Sequence, residues 1–259
     1  MSAKNVIEMS HLTWPEYERR LRDGSLIVLP IGATEQHGIH LPLGTDWLTV
    51  TEMCRRIASK IGGIVAPPLA YGYRSHPRTG GGDAFPGTVN LSGSTLMTLT
   101  QEVLLEFVRH GARRILVVNG HFENEWFVRE ASYLAAKDAV AAGKDVRILM
   151  LSWWEPEDPA YVRSLYPSDE PLRPELQHAA WIETSLGLHL YPELVKVDSK
   201  PPDEHAQFPP YDVFPARREW VPGTGSLSPM SAATADAGAK LTAHYVERIA
   251  AAARTEFGL

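Results

Sequence analysis

Arg114-Ile115-Leu116-Val117-Val118-Asn119, followed at once by Gly120-His121-Phe122-Glu123-Asn124, is the stretch on which the fold turns. Its first half is an apolar run of strand length without polar alternation, the pattern of a strand buried on both faces. A helical pattern follows from Asn124 to Ala142 and closes at Gly143. The same grammar recurs along the chain. Ser25–Gly32 (SLIVLPIG), Gly63–Leu69 (GIVAPPL) and Val146–Ser152 (VRILMLS) are further apolar runs of strand length. Thr13 precedes Trp14-Pro15-Glu16 at capping-box spacing with proline in the first turn, which predicts a helix running to Gly24. Ser92 caps a predicted helix with the apolar stripe Leu96, Leu99, Val103 and Phe107, ended by Gly111. Repeated βα units of this kind predict an α/β fold with a mainly parallel sheet and helices on both faces.

Bulk properties narrow the function classes. A chain of 259 residues, 44% hydrophobic, fits one large α/β domain as well as two small ones. The net charge of -6 comes without any Lys/Arg block, so neither a nucleic-acid groove nor attachment to an anionic membrane is expected. Cys54 is the only cysteine, which excludes an intrachain disulfide and thiolate-rich metal sites and agrees with a reducing compartment. It reads as a buried helix-face residue rather than a nucleophile. The opening residues MSAKNVIEMS lack the basic start and apolar run of a signal peptide, and no segment reaches the roughly 20 apolar residues of a membrane span. A soluble cytoplasmic protein is the expectation. The proline-rich stretch Ser199–Pro229 carries Phe208, Tyr211, Val213 and Phe214, and so reads as an extended arm packed on the domain or on a neighbouring subunit. Thr79-Gly80-Gly81-Gly82-Asp83 is a loop without the Gly-Lys-Ser/Thr of a phosphate loop; it is either a flexible surface loop or a place where backbone approaches a ligand.

In open α/β sheets ligands bind beyond the carboxyl ends of the strands. Glu35-Gln36-His37 follows the first run, His121-Phe122-Glu123 the third, and Trp153-Trp154 the fourth. Side chains i and i+2 of an extended segment point the same way, so each run offers a Glu/His pair to one cavity. Asp46 follows nine residues after His37. Five nitrogen and oxygen donors converging there suit one or two borderline divalent ions such as Zn or Mn, and metal-assisted hydrolysis. His178 lies near the predicted start of a helix through Ile182, Leu186 and Leu190. It could act as a proton acceptor if the fold brings that helix over the strand ends. Glu183, on the same helix, reads equally as a structural ion-pair partner. His40 is one residue out of phase with His37 and reads as a bystander; His110 suits a helix C-terminus, and His11, His76, His189, His205 and His244 suit surface or core-edge positions.

Gly32-Ala33-Thr34-Glu35-Gln36-His37-Gly38, Tyr71-Gly72-Tyr73, Phe85-Pro86-Gly87-Thr88, Asn119-Gly120-His121, Glu183-Thr184-Ser185-Leu186 and Phe208-Pro209-Pro210-Tyr211-Asp212-Val213-Phe214-Pro215 occur in this order. In these blocks, spread from Leu12-Thr13-Trp14 to Pro222-Gly223-Thr224, the sequence resembles the creatininase (creatinine amidohydrolase) family. The resemblance implies one creatininase-like, three-layer domain over residues 1–259, with the arm at about 199–229. It implies two divalent ions per subunit, Zn and/or Mn. Glu35, Asp46 and His121 would hold one, and His37, Asp46 and Glu123 the other, with Asp46 bridging. Glu123 and His178 would carry the proton chemistry that opens a small cyclic amide such as creatinine, giving creatine. Thr79, Phe122, Trp154, Pro174 and Glu175 would face substrate, with Trp153 beside Trp154. The family also implies a homo-oligomer, a hexamer in creatininase, whose partner is otherwise a small molecule.

Departures from the family sit among those substrate positions. Phe122 stands where creatininase has tyrosine, Pro174 where it has a flap tryptophan, Thr79 for a serine and Glu175 for an aspartate. Losing a specific hydrogen bond can change substrate choice by orders of magnitude. The alternative expectation therefore keeps the metal centre and changes the substrate to another small ring or amide, such as a cyclic ketone of inositol catabolism or a formamide.

Overall fold

The structure is a computed structural model that describes residues 7–167, 172–173, 176–199 and 201–259. In chain order the elements are β1 (Ile7–Glu8), α1 (Trp14–Arg22), β2 (Ile27–Ile31), α2 (Thr45–Ile61), β3 (Ile64–Val65), α3 (Pro77–Gly80), α4 (Gly93–Arg109), β4 (Arg114–Asn119), α5 (Glu125–Ala141), β5 (Arg147–Ser152), α6 (Pro159–Leu165), α7 (Trp181–Leu190) and α8 (Ala235–Phe257). The strands form one sheet in the order β1-β3-β2-β4-β5, and every neighbouring pair is parallel. The strand runs carry no polar alternation because both faces are covered. Val28, Leu116, Val118 and Leu151 pack with Val50, Met53 and Ile57 of α2 and Leu241, Tyr245 and Ile249 of α8. Ile27, Leu29, Ile31, Ile115 and Val117 point the opposite way, into a second core with Leu96, Leu104 and Phe107 of α4 and Val128 and Ala135 of α5. This is a helix–sheet–helix sandwich.

Local signals set the helix ends. The Glu16 carboxylate accepts from both the backbone N–H and the hydroxyl of Thr13, at 2.8 and 2.6 Å, at the start of α1. Ser92 Oγ accepts from the N–H of Thr95 at 3.2 Å, opening α4. The buried stripe of α4 differs from the expected one. Leu96, Thr100, Leu104, Phe107 and Val108 are buried, while Leu99 is 37% exposed. Leu99 lies at the edge of that stripe, where the helix surface turns toward solvent. His178 lies near the start of α7 as expected: the helix begins at Trp181, and the imidazole sits in the turn just before it.

Ile31 pairs in register with Asn119, and Asn119 with Ser152, so β2, β4 and β5 end level with one another. The residues that follow these ends build the candidate site. Part of the proline-rich segment closes over it from one side. Ala206, Val221 and Leu227 are buried with Leu176, and Phe208 packs against them, while Tyr211 and Phe214 of the same segment stay exposed.

Candidate metal centre

Two glycines determine how closely α2 can sit on the strand ends. Gly32 follows β2, and a Cβ there would lie 2.5 Å from the backbone N of Trp47; Gly120 follows β4, and a Cβ there would lie 2.8 Å from the carbonyl O of Asp46. The absence of both side chains lets the first turn of α2 nest between β2 and β4, which carries Asp46 to the middle of the cluster. Asn119 then shapes the second motif: its Nδ2 donates to His121 O at 2.7 Å and its Oδ1 accepts from His121 N at 3.2 Å. Asn124 ties the same loop to the first motif, donating to Gly32 O at 3.0 Å.

Glu35, His37, Asp46 and His121 come together as a buried group. His37 Nε2 is 3.1 Å from Asp46 Oδ1, and His121 Nδ1 is 3.1 Å from Asp46 Oδ2 and 3.5 Å from Glu35 Oε1. The outer nitrogen of each imidazole faces a backbone carbonyl, His121 Nε2 with Tyr73 O at 3.0 Å and His37 Nδ1 with Glu35 O at 3.3 Å. That arrangement assigns the ring proton to the outer nitrogen and turns the ligating lone pair inward. Yet Glu35 Oε2, His37 Nε2 and Asp46 Oδ2 are buried without an aligned hydrogen-bond partner. Buried lone pairs converging on one another are costly unless a cation lies between them. The donor set fits divalent metal. Glu35, Asp46 and His121 are mutually within ligand reach, and so are His37, Asp46 and Glu183.

The second trio differs from the expected one. Glu183, from the first turn of α7, approaches His37 Nε2 at 3.6 Å and accepts from Ala179 N at 2.6 Å. Glu123 is held elsewhere, on the far side of the His121 ring, 3.3 Å from Nε2. It accepts the Thr79 hydroxyl at 2.5 Å and the His76 N–H at 2.9 Å. The separation has a simple cause. Phe122–Asn124 is a 3-10 turn rather than an extended segment, so His121 and Glu123 do not point in one direction.

Charge follows this geometry. Burial lowers the proton affinity of both His37 and His121, but facing carboxylates outweigh it, Asp46 and Glu183 for one and Glu35 and Glu123 for the other, and hold both imidazoles well above their usual range. Burial raises Asp46, and the His37 and His121 imidazoles overcome it, leaving that carboxyl well below its usual range. Glu35 is pushed up to about 7 by burial, against the pull of His121. His178 goes the other way: burial, with the His37 charge behind it, holds it well below its normal value.

His178 reaches the cluster through Nδ1, 3.3 Å from Glu35 Oε1. Its Nε2 is 2.8 Å from Gln36 Nε2, whose two N–H groups have three acceptors in reach: that ring nitrogen, Gly80 O at 3.1 Å and Gly225 O at 3.0 Å. Gln36 is thus the hub joining the first motif, the glycine loop and the proline-rich arm. Its placement between the Glu and His of the motif was the only signal for it in the sequence. His40 stays outside the cluster, fully buried, 2.8 Å from the Thr184 hydroxyl. Thr79, Phe122, Trp154 and Glu123 line a cavity of about 110 Å³ together with the ligand cluster. Phe122 stacks with Trp154 at 6.1 Å and 20°, and Trp153 meets Trp154 edge-on at 5.1 Å. Glu157 and Tyr245 line the same cavity and had no motif to announce them. Pro174 and Glu175 lie outside the described residues.

Comparison with known proteins agrees with this architecture. The sequence model of the creatininase family, described as creatinine amidohydrolase, matches residues 10–253. The chain is 42% identical to the creatinine amidohydrolase of Pseudomonas putida over 252 residues, covering 96% of each chain. It is 30% identical over 197 residues to a 3-dehydro-scyllo-inosose hydrolase of Thermotoga maritima, covering 73% of this chain and 59% of that protein. Among solved structures, a manganese creatininase superposes with a TM-score of 0.94 at 41% identity, covering 98% of this chain and all of the other (100%). A mutant creatininase of Zn-Zn type matches at 0.94 and 40% identity, covering 99% and 100%.

Proposed function

The chain belongs to the creatininase family, and from that premise we propose that this amide hydrolase opens a small cyclic amide, creatinine to creatine, at a two-metal centre. The observation that carries the reading is the set of inward-facing, unpartnered donor atoms on Glu35, His37 and Asp46. Glu35, Asp46 and His121 would hold one divalent ion, Zn or Mn, and His37, Asp46 and Glu183 the other, with Asp46 shared. Bound there, such ions would polarise an amide carbonyl and lower the pKa of a water toward neutrality.

The protein's own groups supply the rest. With Glu183 serving the second ion, Glu123 is left for proton chemistry. The Thr79 hydroxyl and His76 N–H orient its carboxylate to take the proton of the attacking water. His178, neutral and fixed by Gln36, relays a proton to the ring nitrogen as the C–N bond breaks. Phe122 and Trp154 offer parallel faces to a flat ring. They bound a cavity of about 110 Å³, and Thr79, Phe122 and Glu123 also line a larger one of about 870 Å³ beside it. The homo-oligomer is part of the same reading, supported by the exposed Trp126, Tyr133 and Phe214.

Loading the purified protein with Zn or Mn and following creatinine loss with creatine formation tests the reading directly. Turnover with two ions per chain is the expected result. A fully loaded protein inert toward creatinine would shift the assignment to another small ring or amide, a reading favoured by the apolar Phe122 in the cavity wall.

A further inference from the structure

The cavity contains a carboxylate that the hydrolytic machinery does not use. From Phe122, next to the ligand His121, a row of rings runs through Trp154 and Trp153 to Tyr245, the last two meeting edge-on at 4.8 Å. At its end the buried Tyr245 hydroxyl donates to Glu157 Oε2 at 3.1 Å. Tyr245 comes from α8 and Glu157 from the turn after β5, so packing of α8 on the sheet brings the pair together.

Glu157 is half-buried, and among the described residues no Lys, Arg or His forms an ion pair with it and Oε1 has no hydrogen-bond partner. A carboxylate in an aromatic-walled cavity with one oxygen tied and the other open is incompletely satisfied. Burial also raises its proton affinity, against the Tyr245 hydrogen bond, as it does for an acid lacking a cation. Tyr245 holds one oxygen, and because Glu157 lines the cavity the other is left as an acceptor for a ligand there.

We propose that Glu157, held in place by Tyr245, is the specificity group of this cavity and selects substrates bearing an amidine- or guanidine-type nitrogen with N–H donors. This deepens the proposed function and rests on it for the identity of the site, not for the binding preference itself. A nitrogen cation would make a charge-assisted hydrogen bond to Oε1 while its planar body lies along the ring row. A neutral carbonyl in the same position would face the carboxylate with like polarity and be rejected.

The test uses the zinc-loaded full chain titrated calorimetrically with methylguanidinium and with its neutral isostere N-methylurea. The wild type is expected to bind methylguanidinium about tenfold or more tightly, the scale of one charge-assisted hydrogen bond. Glu157→Gln, which keeps an acceptor for Tyr245, is expected to bring that ratio close to one with zinc content retained. Tyr245→Phe removes the hydrogen bond to the carboxylate and is expected to reduce the ratio severalfold. Equal binding of the two probes by the wild type overturns the proposal and needs no variant to fold. So does a preference that survives in Glu157→Gln. Failure of the proposed reaction leaves the ratio intact, because neither probe is turned over.

Discussion

Asp46 and Glu123 are both carboxylates beside His121, and their surroundings assign them different work. Asp46 has one oxygen near each inward-facing imidazole nitrogen, whereas Glu123 is oriented by a hydroxyl and a backbone N–H. Glu123→Gln should therefore lower kcat by about 10²–10⁴ while metal analysis still finds both ions. Asp46→Asn should lose both ions together, which the same analysis would read as less than one ion per chain. The pH dependence has a definite sign. His37 and His121 are raised in the metal-free protein, so their stabilisation is complete below the unfolded value of about 6.5 and is lost as pH climbs through the folded values. Glu35, raised to about 7, acts in the same direction. Metal-free protein should thus melt at a lower temperature at pH 9 than at pH 7.5, a comparison made above the range in which the lowered His178 and His40 act with the opposite sign. Metal binding near pH 7 should release protons, seen as a calorimetric enthalpy that varies with the ionisation enthalpy of the buffer. A buffer-independent enthalpy would contradict the charge assignment.

At the scale of elements, the decisive contact is the first turn of α2 on the ends of β2 and β4. Gly120→Ala would press a methyl against Asp46 O at 2.8 Å and Val50 Cβ at 2.9 Å. A loss of about 1–3 kcal/mol should appear as a fall of several degrees in melting temperature, with weaker metal retention because Asp46 moves with the helix. The elements themselves were legible in the sequence. RILVVN and SLIVLPIG read as doubly buried strands because both of their faces meet helices, and the Thr13 and Ser92 caps act within four residues of themselves. The Glu35/His37 pair was legible for the same local reason. What could not be read depends on distant packing. Glu183 reaches His37 only because α7 lies against α2, the Gln36 amide nitrogen finds its partners 44 to 189 residues away, and Leu99 points outward by the phase of a helix against one particular neighbour. The His121/Glu123 pair was legible in composition but not in direction, since a 3-10 turn replaces the extended segment.

For the molecule as a whole, the exposed rings carry the next expectation. Trp126 at 73%, Phe214 at 77% and Tyr133 at 63% exposure are large apolar surfaces for a protein working alone. Light scattering on the purified chain should give a multiple of the monomer mass, and charged substitution at Trp126 should shift it downward. The two halves of the site also come from separate parts of the architecture. The ligands descend from β2, β4, α2 and α7, with Asp46 locked by Gly32 and Gly120, whereas Trp154, Glu157 and Tyr245 come from the turn after β5 and from α8. Under drift and selection the two parts are therefore free to change at different rates. A gene copy can exchange its aromatic and acidic wall for a new nutrient while inheriting its water-activating centre intact, and a mutant library confined to positions 122, 154, 157 and 245 samples that same freedom in the laboratory.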